Sequence, residues 1–298
     1  MPKVSIIIPT YNRASLLKRA IKSVLAQTFK DLELIIIDDN SNDCTEDIVK
    51  KYMKFDSRVK YIQNEVNLGG GAAATRNKGI DIARRKYCAF LDDDDEWRED
   101  KLEKQLNVLK KNDYSVIGSK KLVLKNCRDS SENLLQDKDY NDCSDFEEIS
   151  LQDALSGRLH ISPSTLITKT EYLIEIGGFD EKLKASVGYD LNVRLINNFG
   201  KGAIINEKLT IIHQEHEYQR VSTSKKSING AWQSYNKHHH LMSLKTKRKR
   251  LMSIHRKSIL MDASSIKEKF FNIIKLIPYI DLLLIWIIKT ILQKIIKN

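Results

Sequence analysis

Short apolar runs and amphipathic stretches alternate along the first 120 residues of this 298-residue chain. VSIII (4–8), LELIII (32–37), VKYI (59–62) and YCAFL (87–91) are β-rich and of strand length. Between and after them lie LLKRAIKSVL (16–25), EDIVKKYM (46–53), the small-residue run NLGGGAAATRNKGIDIARR (67–85) and REDKLEKQLNVLKK (98–111), then the strand-like SVIGSKKLV (115–123). This alternation predicts an α/β fold with a mostly parallel central sheet covered by helices on both faces. Ligands of such sheets sit beyond the carboxyl ends of the strands. Three polar clusters directly follow apolar runs and fall on that rim: Pro9 to Arg13, Asp38 to Asp43, and Asp92 to Asp95.

The pattern changes twice. Residues 125–150 are polar with little period and read as a long loop or lid. Order resumes at LQDALSG (151–157) and STLIT (164–168), IGGFDE (176–181) makes a turn, and YDLNVRLINNFG (189–200) has helical spacing. Beyond residue 220 the chain is first basic, as in KHHHLMSLKTKRKRLMSIHRK, and then apolar, as in FFNIIKLIPYIDLLLIWIIKTILQKIIKN. A single spanning helix needs about 20 predominantly apolar residues. Lys275, Pro278, Asp281 and Lys289 interrupt this run, so it predicts an interfacial amphipathic helix or a broken pair, drawn to anionic lipid by the basic stretch. Three parts result: 1–110, 111–222 and a helical extension, 223–298.

Charge sharpens that division. The chain carries a formal charge of +11. Residues 220–298 hold 17 Lys and Arg against 3 Asp and Glu, so the rest is slightly acidic. A basic surface fits nucleic acid, anionic lipid or a phosphorylated substrate equally. Cys44, Cys88, Cys127 and Cys143 form no CxxC pair, which argues against a zinc site or a disulfide framework. The opening MPKVSIIIPT lacks the features of a secretory signal.

Asp92 to Asp95 pose the sharpest chemical question, because four adjacent carboxylates repel one another. They can serve an anionic ligand only through a bridging cation, and Mg²⁺ or Mn²⁺ prefers such oxygen donors. On an extended segment Asp92 and Asp94 share a side. The ordinary alternative is an acidic turn capping the helix from Arg98, with Asp95 as the cap. Gly69 and Gly71 give G-x-G, but no third glycine completes a dinucleotide fingerprint and no G-K-S/T makes a Walker loop.

Taken in order, VSIIIPTYNR, IIIDDNSND, TRNKGI and FLDDDDEW resemble the family 2 glycosyltransferases, inverting enzymes of the GT-A (Rossmann-like) fold. The resemblance is dense over residues 3–110, patchy to about 222 and absent beyond. It implies transfer of a sugar from a nucleotide-sugar donor, usually with Mn²⁺ or Mg²⁺, to an acceptor hydroxyl. Thr10, Tyr11 and Arg13 would then bind the nucleoside, Asp39 the nucleobase, and Asn67, Gly69, Arg76, Asn77 and Gly79 would line a loop near the donor. Asp94 would be the chief metal ligand and Asp92 a contact to donor or metal, with Asp93 in the variable slot of a D-x-D-D motif. The chain departs from the family pattern in three places: Thr75 replaces a usual Ala, the loop before it is about two residues longer, and Gly188 occupies the usual acid position before Arg194 and Leu195. Asp190 is then the nearest carboxylate for a general base, with Asp180 and Glu181 next. In HQEHEYQRVSTS, His216 and Arg220 are candidate metal or diphosphate contacts.

Each residue has an ordinary alternative: a turn or N-cap for Asp38 and Asp39, a salt bridge for Arg76, a helix cap for Asp190 and a surface site for His216. Two other classes compete. A nucleic-acid-binding protein would explain KTKRKR, but no aromatics interleave with its basic residues. A sugar nucleotidyltransferase would carry a G-x-G-x-R loop where this chain has PTYNR. The resemblance and the tail together imply a hexosyltransferase, with a UDP-linked donor and an undecaprenyl-diphosphate-linked saccharide acceptor such as GlcNAc-diphosphate-undecaprenol. It would act peripherally on the cytoplasmic face of a bacterial inner membrane, in O-antigen or capsule assembly, with no nucleic-acid partner.

Overall fold

A computed structural model describes residues 3–69, 72–124, 145–157, 161–183, 185–214, 226–262 and 279. The elements in chain order are β1 (Val4–Thr10), α1 (Ala14–Leu25), β2 (Leu32–Asp38), α2 (Thr45–Phe55), β3 (Val59–Gln63), α3 (Ala72–Ile82), β4 (Tyr87–Phe90), β5 (Asp95–Trp97), α4 (Lys101–Lys111), β6 (Val116–Leu124) and β7 (Phe146–Ile149). There follow α5 (Leu151–Ser156), a 3₁₀ turn (Pro163–Thr165), β8 (Ile167–Lys169), α6 (Thr170–Glu175), α7 (Val187–Phe199), β9 (Gly202–His213), α8 (Lys226–His238), a second 3₁₀ turn (His239–Leu241) and α9 (Leu244–Asp262). Two compact units emerge. One holds residues 1–151, 159–182 and 187–217; the other holds 152–158, 183–186 and 218–298.

The first unit contains the whole sheet, in the order β3-β2-β1-β4-β8-β6-β9-β5, with β7 also paired to β9. From β3 to β4 all pairings are parallel. Every residue of β1 and β2 is buried, as strands covered on both faces require. Helix α1 presents Leu17, Ala20, Ile21 and Val24 to this layer, a spacing that follows the helical period. Beyond β4 the sheet is mixed: β8 runs antiparallel to β4 and β6, β9 runs parallel to β6, and β5 and β7 run antiparallel to β9. The parallel half matches the sequence pattern, and the mixed half departs from it.

Asp95 is the clearest local departure. It opens β5, where it pairs with Ile212, and α4 begins only at Lys101. Asp95 is therefore a strand residue and not the cap of a helix starting at Arg98. Trp97 closes the same strand; its Nε1–H donates to the Ser164 carbonyl at 2.6 Å. The Lys101 amine lies 3.9 Å over the indole ring and donates to Gln105 Oε1. Burial lowers the pKa of that amine well below the usual lysine range.

In the second unit, α8 and α9 pack through an edge-on contact of Trp232 with His255 at 5.4 Å and a 3.3 Å bond from Arg250 to Ser234 Oγ. Among the described residues no helix is long and apolar enough to cross a membrane. Residues 125–144 of the expected lid and the apolar run 270–298, residue 279 excepted, lie outside the described residues; within the stretch expected to be a loop, Phe146–Ile149 form β7.

Candidate active site

Parallel pairing sets the register of the site. Thr10 at the end of β1 stands opposite Asp38 at the end of β2, while β4 ends beside Ile7. The loops that leave these three strands therefore emerge on one rim, and hydrogen bonds join them. The Asp39 N–H donates to the Thr10 carbonyl at 2.9 Å, and the Asn12 N–H donates to Ser41 Oγ at 2.8 Å. Asp43 ties two helix starts together, accepting from the Ala14 N–H at 3.1 Å and the Thr45 N–H at 3.0 Å.

Within the first cluster Thr10 is buried, and its hydroxyl donates to Asp93 Oδ2 at 2.9 Å. Arg13 reaches Asp93 Oδ1 at 3.1 Å and stands 3.7 Å from Asp94 Oδ2. Tyr11, between them in sequence, is 47% exposed, leaving much of its surface open to a ligand. In the second cluster Asp38 is consumed locally by the Ser41 N–H, the Ser41 hydroxyl and the Tyr61 hydroxyl. Asp39 is tied to a different segment. Its Oδ1 accepts from Asn64 Nδ2 at 2.8 Å and from the Leu68 N–H at 3.0 Å, and Asn67 Nδ2 donates to its carbonyl. These bonds fix the Asp39 carboxylate inside the β3–α3 connection.

The third cluster gathers the acids. Asp92, Asp94 and Asp95 each offer a carboxylate oxygen, and these atoms lie within 4.8 Å of one another. Three hard oxygen donors so placed suit Mg²⁺ or Mn²⁺. Asp93 points elsewhere, toward Thr10 and Arg13. Burial pushes its carboxyl up to about 7, with Arg13 opposing the rise and Asp94 adding to it. Arg76 is buried on α3 and forms an ion pair with Asp92; its guanidinium also lies 5.4 Å from the Phe179 ring centre. Of the two roles open to Arg76, donor contact and salt bridge, the salt bridge is present.

Asp190, the carboxylate expected to act as base or as a helix cap, lies in the first turn of α7. Its side chain has 0% exposure there, and Arg194 donates to its Oδ2 at 2.8 Å. Enclosed in this way, the carboxylate ties Arg194 to the start of α7. The remaining Arg194 nitrogens donate to the carbonyls of Ile176 and Gly178 at 2.9 and 2.7 Å. Asn77 grips the same turn through the N–H and carbonyl of Phe179, and donates to Glu181 Oε1 at 2.7 Å. The pair thus holds the turn that carries Asp180 and Glu181. Gly188 has a packing reason: a Cβ there would stand 3.0 Å from Pro163 Cδ.

Several contributors carried no signal in the sequence. Arg19, one turn into α1, donates to the Asp94 carbonyl at 2.9 Å. Ser164 and Asn64 are equally unmarked by any motif. His216 and Arg220 lie outside the described residues; His213, near them in sequence, contacts Glu96 at 3.0 Å.

Comparison with known proteins adds four findings. The family model described as Glycosyl transferase family 2 matches residues 5–146. An uncharacterized glycosyltransferase of Methanocaldococcus jannaschii is 36% identical over 233 residues, 75% of this chain and 76% of that protein. A Campylobacter jejuni GalNAc(5)-diNAcBac-PP-undecaprenol beta-1,3-glucosyltransferase is 50% identical over 96 residues, 32% of this chain and only 31% of that protein's length. Among solved structures, Staphylococcus aureus TarS 1–349 in complex with UDP superposes with a TM-score of 0.64 at 19% identity, covering 90% of this chain and 77% of that one. That likeness concerns the fold.

Proposed function

The chain belongs to glycosyltransferase family 2, and on that premise we propose that it transfers a hexose, with inversion, from a UDP-linked donor to a hydroxyl of a lipid-linked saccharide during surface-polysaccharide assembly. One observation carries the reading: the Asp92, Asp94 and Asp95 oxygens converge on the rim where Thr10, Tyr11 and Asp39 also emerge. A nucleoside fits the second group and a diphosphate, through a cation, the first.

Asp92, Asp94 and Asp95 would hold a divalent cation, which when bound neutralises diphosphate charge and stabilises the leaving group. Tyr11 offers a ring face to the base, and Asp39, fixed by Asn64 and Leu68, accepts from a base N–H. Arg13 and Arg76 bring positive charge beside the acids. The acceptor hydroxyl gives up a proton as it attacks, and a carboxylate on the turn anchored by Asp190 and Arg194 is suited to receive it. Glu181 is exposed there and held by Asn77. The undecaprenyl-diphosphate acceptor draws on the C. jejuni relative's name and on the basic sequence preceding the apolar tail, which fits peripheral attachment to an anionic inner-membrane surface.

A panel of nucleotide-sugars with a lipid-diphosphate saccharide and Mn²⁺ tests this directly. The expected result is acceptor-dependent release of UDP that stops with EDTA. Undiminished transfer in EDTA would remove the metal from the reading, and transfer only from non-uridine donors would replace the base assignment.

A further inference from the structure

Ser164 lies 72 residues from Asp92 and 69 from Asp95 in sequence, yet it touches both. It is the middle residue of the 3₁₀ turn Pro163–Thr165 and is 1% exposed. Its Oγ accepts from the Asp92 N–H at 3.1 Å and donates to Asp95 Oδ2 at 2.6 Å. A hydroxyl has one proton and two lone pairs, so it can make both bonds at once. The Ser164 carbonyl meanwhile accepts from Trp97 Nε1 at 2.6 Å and from Thr210 Oγ1 at 3.3 Å. One residue therefore contacts the first acid, the last acid and the tryptophan that closes β5.

The turn beneath it is itself braced. The Thr165 N–H donates to the Ser162 carbonyl at 2.9 Å, the Leu166 N–H to the Pro163 carbonyl at 3.1 Å, and Gln105 Nε2 to the Thr165 carbonyl at 2.8 Å. Gly188 gives Pro163 the room to sit close against α7.

We propose that Ser164 is a positioning residue that sets the separation of Asp92 and Asp95, and through it the affinity of the acidic cluster for a divalent cation. This rests on the metal reading given above. Carboxylate oxygens within 4.8 Å of one another repel when no cation lies between them. Without the Ser164 hydroxyl the Asp95 carboxylate would be free to turn away from its neighbours, and drawing it back would subtract from the binding free energy. The Asp95 N–H already closes the turn on the Asp92 carbonyl at 3.1 Å. The Ser164 hydroxyl adds the contact that reaches a carboxylate oxygen itself, fixing the Asp95 side chain relative to the Asp92 backbone in advance, as outer-shell partners of metal ligands commonly do.

The test is a titration of Mn²⁺ alone into the purified full-length chain, reading free Mn²⁺ by electron paramagnetic resonance. Ser164→Ala should raise the dissociation constant about tenfold, the lower end of the usual effect of losing such a partner. Ser164→Cys keeps the shape with a poorer donor and acceptor, so it should weaken binding in the same direction, and it reports on the hydroxyl even where the alanine variant does not fold. Ser162→Ala removes a hydroxyl that reaches Thr165 Oγ1 within the same turn, and should leave the constant unchanged. Thermal melting in EDTA identifies the variants that are folded. Equal Mn²⁺ affinity in wild type and folded Ser164 variants would overturn the proposal, as would an equal loss in Ser162→Ala. Should the wild-type chain take up Mn²⁺ only with UDP present, the same comparison is read with UDP added; a chain that retains none in either condition removes the metal reading, and this inference with it.

Discussion

Asp190 and Arg194 stand one helical turn apart on α7, and the arginine links the buried carboxylate to the carbonyls of Ile176 and Gly178. Removing one member of a buried pair leaves the other uncompensated, which costs roughly 3–5 kcal/mol where burial is complete. Arg194 keeps 17% of its side-chain exposure, so Asp190→Asn should cost toward the lower end of that range. Its expected signature is a lowered denaturation midpoint with turnover reduced in proportion to misplacement of the turn. Glu181→Gln should show the reverse, a loss of about 10²–10⁴ in kcat with little change in stability or donor KM. Stability and kinetics on both variants check the division. A large kcat loss in Asp190→Asn without destabilisation would make Asp190 the base in place of Glu181.

Neighbouring acids should respond differently to the same kind of change. Asp94→Ala removes a donor from the candidate metal cluster, and a cation contributing several kcal/mol corresponds to more than about a hundredfold in rate. Circular dichroism should be unchanged while Mn²⁺ stimulation disappears. Asp93→Asn should be mild. Burial already disfavours the Asp93 charge, and an amide can still accept from Arg13 through its oxygen. Activity within about fivefold of wild type is expected, corresponding to about 1 kcal/mol; a loss matching Asp94→Ala would place Asp93 among the ligands.

Asp39 is fixed by two donors on one oxygen, Asn64 Nδ2 and the Leu68 N–H. Leaving a base N–H without its acceptor costs about 1–3 kcal/mol in a desolvated site. Asp39→Ala should therefore raise the KM for a UDP-sugar about tenfold or more, with a smaller effect on Mn²⁺ affinity. Asn64→Ala should act in the same direction but less, because it loosens the carboxylate without deleting it. Isothermal titration with UDP on both variants measures the difference.

What the sequence made legible was local. The three polar clusters could be placed on one rim because each follows a run of apolar residues, and a parallel sheet puts such run-ends side by side. The mixed half of the sheet was not legible, since β5 is three residues long and its partner β9 comes more than a hundred residues later. A strand that short has no period to read, which is why Asp95 looked like a helix cap. Ser164 and Arg19 escaped for a related reason: their contacts are long-range, and neither serine in a turn nor arginine on an amphipathic helix is unusual. The base expected at Asp190 followed from its proximity to a vacant acid position. Its burial depends on Arg194 folding back one turn, a rotamer outcome that spacing alone does not determine.

Glu33 provides a pH test remote from the site. Burial alone would raise its carboxyl, but Lys60, the Ser5 hydroxyl and the Arg84 N–H together hold it below the usual value of 4.5. A carboxyl depressed in the folded state contributes stability that is complete above its unfolded value and lost as pH falls through the folded one. Glu33→Gln should therefore destabilise the protein at pH 7, and the gap from wild type should narrow as pH drops below about 4.5. Melting curves of both proteins across pH 3–8 would reveal a constant gap if Glu33 acted through shape alone.

Lys245, Lys247, Arg248 and Lys249 lie on α9, and each basic residue near an anionic membrane contributes about 1 kcal/mol. Replacing all four with Gln in the full chain should then weaken binding to vesicles containing phosphatidylglycerol by roughly 10²–10³, converting that sum at tenfold per 1.4 kcal/mol. Wild-type binding should itself fall with salt, because these charges act within a Debye length of about 8 Å at physiological ionic strength. Sedimentation that resists salt and persists in the quadruple variant would assign attachment to apolar insertion by residues 270–298 instead, and would leave the basic stretch without a membrane role.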